Sequence, residues 1–297
     1  MIRQSLAALL IAVHAAAWAG GAVVRTVNTV SVAGTERTYI LRIPAKVNAA
    51  KPAPLVIVLH GWTASGELAE IYTKMAEKAD EAGFIVAFPN GTAPGKALGW
   101  NTGFLNLGKS GVDDFAFMES LVKDISAKAK VDPKQVYLCG HSNGAMMSHA
   151  AGSKLSRLFA AIGVVAGTIG LDQAKPPILM PQPQGPVSVI IVHGQKDPTV
   201  GYDHSAKALL VGVSAPDSAS FWAKSNGCQG PKTLLDDANA KIELWSKGRA
   251  GTEVKLVTVK NGTHDWPGGV SRSGPETTSK VNAADLLWDF FSKHRKP

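Results

Sequence analysis

"VYLCGHSNGAMMSHA", residues 136–150, decides how the chain is read. An apolar run ends at Cys139, Gly140 and Gly144 bracket Ser142, and small residues follow. The first part reads as a buried strand and the last as a helix. A G-x-S-x-G turn between such elements strains the serine backbone. It also lifts the hydroxyl off the end of a sheet, beside the positive end of a helix. The bare pentapeptide means little, since chance alone produces it in roughly one chain in five of this size. Its neighbours give it weight.

On both sides, short β-branched runs alternate with amphipathic stretches. "RTYILRIP" (37–44), "PLVIVLHG" (54–61), "FIVAFPN" (84–90), "VSVIIVHG" (187–194) and "EVKLVTVKN" (253–261) read as strands. Residues 65–83 read as one helix, with Leu68, Ile71, Met75 and Ala79 along a face and Gly83 as its stop. Residues 112–130, 218–226 and 282–294 read as further helices; the first has acidic residues at its start and lysines at its end, as the helix dipole favours. Near-continuous runs such as "VIVL" and "VIIV" suit strands buried on both faces. The expected fold is therefore α/β, of the α/β-hydrolase type: a mostly parallel central sheet flanked by helices on both faces, in a single domain over 20–297. Two irregular stretches, 92–111 and 171–186, are candidates for lining a cleft.

The first residues read as an export leader. Arg3 precedes a small, apolar run from Ser5 to Ala17, and "AWA" before Gly20 fits a cleavage site. The run is too short to span a bilayer. The expectation is a leader over 1–19, a secreted extracellular or periplasmic product, and no stable membrane insertion. The formal charge of +8 is scattered, without blocks or aromatic interleaving, so no nucleic-acid partner is expected. The two cysteines, Cys139 and Cys228, do not make a disulfide framework. Cys139, at the end of an apolar run, reads as a buried free thiol. No CxxC or histidine cluster suggests a metal, and no cofactor is expected.

Serine needs a base to take its proton and a carboxylate to orient that base. In an α/β hydrolase these follow in the order acid, then histidine, each after a later strand. Asp197 in "HGQKDPTV" directly follows a buried strand, with Asp203 in reserve. After Asp197 only His204, His264 and His294 remain. His204 is too near for a separate loop and His294 lies in the basic tail, which leaves His264 in "NGTHDWPGG". An oxyanion hole needs two backbone donors. Asn143, next after the serine, supplies one; Trp62, in the turn after the early strand, supplies the other.

"LHGWTASG", "GWNTG", "GVDDFAFM", "GHSNGAMM", "VHGQKDPTV" and "NGTHDWPGG" together resemble the poly(3-hydroxybutyrate) depolymerase-like and feruloyl esterases, a carbohydrate esterase group 1 type of α/β hydrolase. The resemblance runs from about Arg37 to Phe291. It implies Ser142 as nucleophile, Asp197 as acid, His264 as base and Gly61-Trp62 as the oxyanion loop. It also implies Trp100, together with Trp266, as substrate-binding aromatics. Asp113 and Asp114 look structural, as helix-start caps. Many relatives pair the cysteine of "NGC" with a second one before the last strand, which "KIELWSKGRAGTEV" lacks. No appended substrate-binding domain is expected. The implied activity is a serine esterase acting through an acyl-enzyme on poly- or oligo(3-hydroxybutyrate), or alternatively on feruloyl and acetylxylan esters. An acyltransferase or a non-catalytic binding protein are the rival classes, and a monomer is expected.

Overall fold

The computed structural model describes residues 22–171, 174–204, 207–271 and 280–297. The expected leader and its cut before Gly20 lie outside them. The elements run β1 (Val24–Val32), β2 (Thr35–Ile43), β3 (Ala53–Leu59), α1 (Gly66–Thr73), α2 (Met75–Ala82), β4 (Ile85–Pro89), α3 (Asp114–Lys128), β5 (Val131–His141) and α4 (Asn143–Lys154). They continue with β6 (Ala161–Val165), a small hairpin of β7 (Gly170–Leu171) and β8 (Ile178–Leu179), β9 (Ser188–Gly194), α5 (Ala215–Asn226), β10 (Gln229–Asp236), β11 (Ala240–Ser246), β12 (Val254–Val259) and α6 (Ala283–Phe291).

Ten strands form one sheet in the order β1-β2-β4-β3-β5-β6-β9-β12-β11-β10. The centre, β4 through β12, is parallel, as the unbroken apolar runs predict. Antiparallel strands close both edges. The central strands alternate between two cores. Leu55, Ile57, Leu138 and Ile191 face Phe117 of α3, Ala150 of α4 and Trp222 of α5. Val56, Val58, Tyr137 and Val192 face Met75 of α2 and Leu287 of α6. Each such side chain contributes about 1.5–3 kcal/mol on burial.

Two expectations change. The single helix over 65–83 is broken at Lys74, whose φ of 55° is left-handed. The break rotates the first half, so Ala69 and Tyr72 are buried while Leu68 and Ile71 face solvent. The two aspartates also have different duties. Asp113 caps α3, accepting from the N–H groups of Phe115 and Ala116. Asp114 is fully buried and pairs with Arg37 of β2 at 2.7 Å while accepting from Asn101 N–H. The Arg37 guanidinium lies 3.9 Å over the Phe117 ring, which compensates part of its burial. Both cysteines are free, Cys139 buried and Cys228 half-buried.

Candidate active site

The elbow at the end of β5 is a steric solution. Ser142 sits at φ 55°, ψ −120°, a conformation L-residues rarely adopt and one that persists only when its surroundings force it. They do. A Cβ on Gly140 would stand 2.4 Å from the Gly144 carbonyl oxygen, and one on Gly144 would stand 2.5 Å from the carbonyl oxygens of both Leu59 and His60. The glycines thus let β3, β5 and the start of α4 approach backbone to backbone. The Ser142 N–H donates to Val165 O at 3.0 Å, fixing the turn to β6.

Two later loops converge on the serine. A Cβ on Gly194, at the end of β9, would meet Gly262 O at 2.4 Å, so the loops after β9 and β12 touch through glycine. Lys196 N–H donates to Gly262 O and Gln195 N–H to Val259 O, each at 2.9 Å. Asp197 and His264 are thereby brought together. His264 Nδ1 lies 2.8 Å from Asp197 Oδ2, and its Nε2 lies 2.9 Å from Ser142 Oγ. An ionised carboxylate only accepts, so Nδ1 carries the proton and Nε2 is free to accept from the serine hydroxyl.

Asp197 is buried and its carboxylate is saturated with donors. Oδ1 accepts from Thr199 N–H at 2.8 Å and Val200 N–H at 2.9 Å, while His193 Nε2 stands 3.3 Å from Oδ2. Burial alone would raise its pKa. The hydrogen bonds and charges of His193 and His264 outweigh that and hold the carboxyl below its usual range, so it stays ionised. The reserve acid Asp203 is not the residue brought to His264.

The loop carrying Trp62 lies against the serine: a Cβ on Gly61 would be 3.3 Å from Ser142 Cβ. Among the described residues, neither the Trp62 N–H nor the Asn143 N–H donates to an internal acceptor. The Asn143 side chain is occupied elsewhere, its Oδ1 accepting from Trp100 N–H at 2.7 Å.

Trp100 departs from the expected role. It is fully buried; its indole N–H donates to His60 O at 2.9 Å, and its ring stacks on Phe117. It braces the elbow from beneath and is no wall of the cleft. Its two polar groups find partners only inside, which is why the ring sinks. Trp266 does line a cleft of about 430 Å³, with Tyr72, His141, Pro198, Thr263 and His264. Neither 92–111 nor the described part of 171–186 contributes to that lining. The Trp62 side chain is about half exposed.

Three residues that matter here were not singled out from sequence. Tyr72 accepts from Gly61 N–H at 3.3 Å and lines the cleft. His141 donates from Nε2 to the His264 carbonyl at 3.1 Å, since a carbonyl can only accept. His193 reaches Asp197. The x of G-x-S-x-G and the histidine of "VHGQKD" were visible, but the partner of His141 lies far along the chain, and His193 meets residues four and seven positions on only because the acid loop turns back on it. Among the described residues no group of side chains is arranged to hold a metal ion, and no helix is long and apolar enough to cross a membrane.

A sequence model of the family described as "Esterase PHB depolymerase" matches residues 37–178, which include the elbow. The match takes in just under half of the chain, and over those residues the chain is similar to this esterase family. Feruloyl esterase B of Piromyces equi is 31% identical over 236 residues, covering 77% of this chain and 42% of that protein. The chain therefore spans less than half the length of that relative. A putative esterase, NocK, of Nocardia uniformis is 27% identical, covering 89% of this chain and 82% of its own. The fold is shared with an acetyl xylan esterase from Aspergillus awamori, at a TM-score of 0.63 and 18% identity over 90% of this chain and 99% of that one.

Proposed function

We propose that the protein is a serine esterase that works by double displacement. The observation that carries this is the unbroken line Ser142 Oγ–His264 Nε2 at 2.9 Å and His264 Nδ1–Asp197 Oδ2 at 2.8 Å, at a strained elbow. Ser142 Oγ attacks the ester carbonyl carbon as its proton passes to His264 Nε2. The Trp62 and Asn143 N–H groups receive the oxyanion, a contact that catalyses because it is strongest in the transition state. Asp197, ionised, steadies the imidazolium. His264 then returns the proton to the departing alkoxide, and the alcohol leaves. Water attacks the acyl carbon by the same route in reverse order, freeing the acid and restoring Ser142.

The substrate reading is an oligo- or poly(3-hydroxybutyrate) ester, supported by the family. Feruloyl or acetylxylan esters are the second reading, favoured by the feruloyl esterase relatives. Trp266 on the cleft wall and the exposed Trp62 are the aromatics offered to the acyl group. Export behind the N-terminal leader and action as a monomer belong to the same proposal.

The test is a substrate panel of short-chain aryl esters, hydroxybutyrate oligomers, methyl ferulate and acetylated xylan, with the products analysed in the presence of an acceptor alcohol. Ser142→Ala is expected to lower turnover by at least about 10⁴-fold while its circular dichroism spectrum is unchanged. Turnover retained in that variant would sink the reading. Net transfer to the alcohol at the expense of hydrolysis would make the protein an acyltransferase.

A further inference from the structure

The buried side of the acid loop holds more histidine chemistry than a triad uses. His193 is the penultimate residue of β9, on the face shared with Val189 and Ile191, and His149 lies within α4 under the same core. Both are fully buried. Their tautomers follow from their partners. His193 Nε2 is 2.9 Å from Val200 O, a pure acceptor, so Nε2 carries a proton. That proton is shared with Asp197 Oδ2 at 3.3 Å, the oxygen that His264 also engages. His149 Nδ1 is 2.9 Å from Trp222 Nε1, a pure donor, so Nδ1 is bare and the neutral ring carries its proton on Nε2.

The remaining ring atoms are complementary. His149 Nε2–H is a donor without an acceptor, and His193 Nδ1 is a bare acceptor without a donor; both are buried and unpartnered among the described residues. Burial, and in smaller part the charge of His193, lowers the His149 pKa. Ser218 Oγ, one helical turn before Trp222 on α5, is a third buried polar atom without a partner. Trp222 stacks on His149, joining α4 to α5, and α5 in turn packs on β9. Buried polar atoms are rarely left unpaired, and a buried water typically makes about three hydrogen bonds.

We propose that one buried water joins His149 Nε2–H, His193 Nδ1 and Ser218 Oγ, completing a one-way chain of donors from Trp222 through His149 and His193 to Asp197. His149 and His193 are then positioning residues. They hold the acid at the oxygen that His264 also engages, so that Oδ2 is kept in reach of Nδ1 of the base. The catalytic part of this inference rests on the esterase reading; the water and the tautomers do not.

The test has two arms. Nitrogen-15 NMR of the full chain, labelled at histidine, is expected to show His149 and His193 both neutral and protonated on Nε2, and a structure at atomic resolution to show water between them. A proton on His193 Nδ1, or His149 Nε2 donating directly to a protein acceptor, overturns the chain. In kinetics, His193→Leu is expected to lower kcat by about tenfold to a hundredfold with KM within about twofold, and His193→Gln, which keeps a donor at the same reach, to restore most of it. An unchanged kcat in a folded His193→Leu protein, where Ser142→Ala is inert, overturns the positioning role and leaves the esterase reading intact. If His193→Leu does not fold, His193→Gln and the NMR arm on the unaltered protein still decide. Turnover surviving in Ser142→Ala would instead remove the esterase reading while the tautomers stand or fall on their own.

Discussion

Ser142 is held from two sides by different physics. On the elbow side, Gly140 and Gly144 let backbones meet at distances where a Cβ would collide. On the acid–base side, Asp197 and His264 are held by directional hydrogen bonds between side chains and loop amides. The first kind of restraint tolerates no added atom and is inseparable from the fold. The second can lose its chemistry while its shape survives. Structure and reactivity should therefore come apart on one side of the serine and stay together on the other.

Asp197→Asn probes the separable side and carries the largest effect. The amide keeps the shape but cannot stabilise an imidazolium, and it turns an NH2 toward donors, so kcat is expected to drop by about 10⁴-fold in a protein that still folds, with a loss of stability of about 1–2 kcal/mol. Failure to fold would show that the two sides are not distinct. Gly144→Ala probes the other side. Its methyl would meet two backbone oxygens at 2.5 Å, neither able to rotate away. We expect a loss of roughly 3 kcal/mol in denaturant unfolding together with loss of turnover. A stable but inactive protein would contradict the comparison.

The smallest effect concerns pH. Burial, aided by the neighbouring His193, depresses the His149 pKa from 6.5 to about 3. The unfolded chain therefore binds a proton that the folded chain refuses. The contribution to stability is complete above pH 6.5 and is lost as pH falls toward 3. Between pH 7 and 5 this amounts to roughly 2 kcal/mol. His149→Gln should flatten the stability profile by that amount over that window, measured by urea unfolding at each pH. The protonation of Asp197 belongs to a lower range, below the ordinary carboxylate pKa, and would not confuse it. Equal slopes in both proteins would mean that His149 is not sealed from solvent.

The same two kinds of restraint explain what the sequence could say. Strands β3 and β9 announce themselves because burial on both faces demands unbroken Val and Ile. Ser142, Asp197 and His264 were legible because their chain order is constrained by the fold. Strand β10 gave no such signal: "QGPKTLLD" is exposed throughout at the sheet edge, where Pro231 costs no ladder bond. The break at Lys74 was hidden because a lysine in a left-handed conformation has no compositional mark. Trp100 was misplaced because a tryptophan in a Gly-rich loop looks the same whether its N–H faces a cleft or His60 O. His141 and His149 have partners set by three-dimensional contact alone, and His193 meets Asp197 and Val200 through the conformation of the short loop between them.

The contact between Gly194 and Gly262 also bears on how such a protein could be altered. Acid and base reside on segments more than sixty residues apart, yet they are coupled through bare backbone with no side chain to act as a spacer. A designer exchanging one of these loops for a longer or bulkier version would move its partner as well. New specificity would then have to come by transplanting both segments as a matched pair, or by leaving both alone and reshaping the wall that Tyr72 and Trp266 provide.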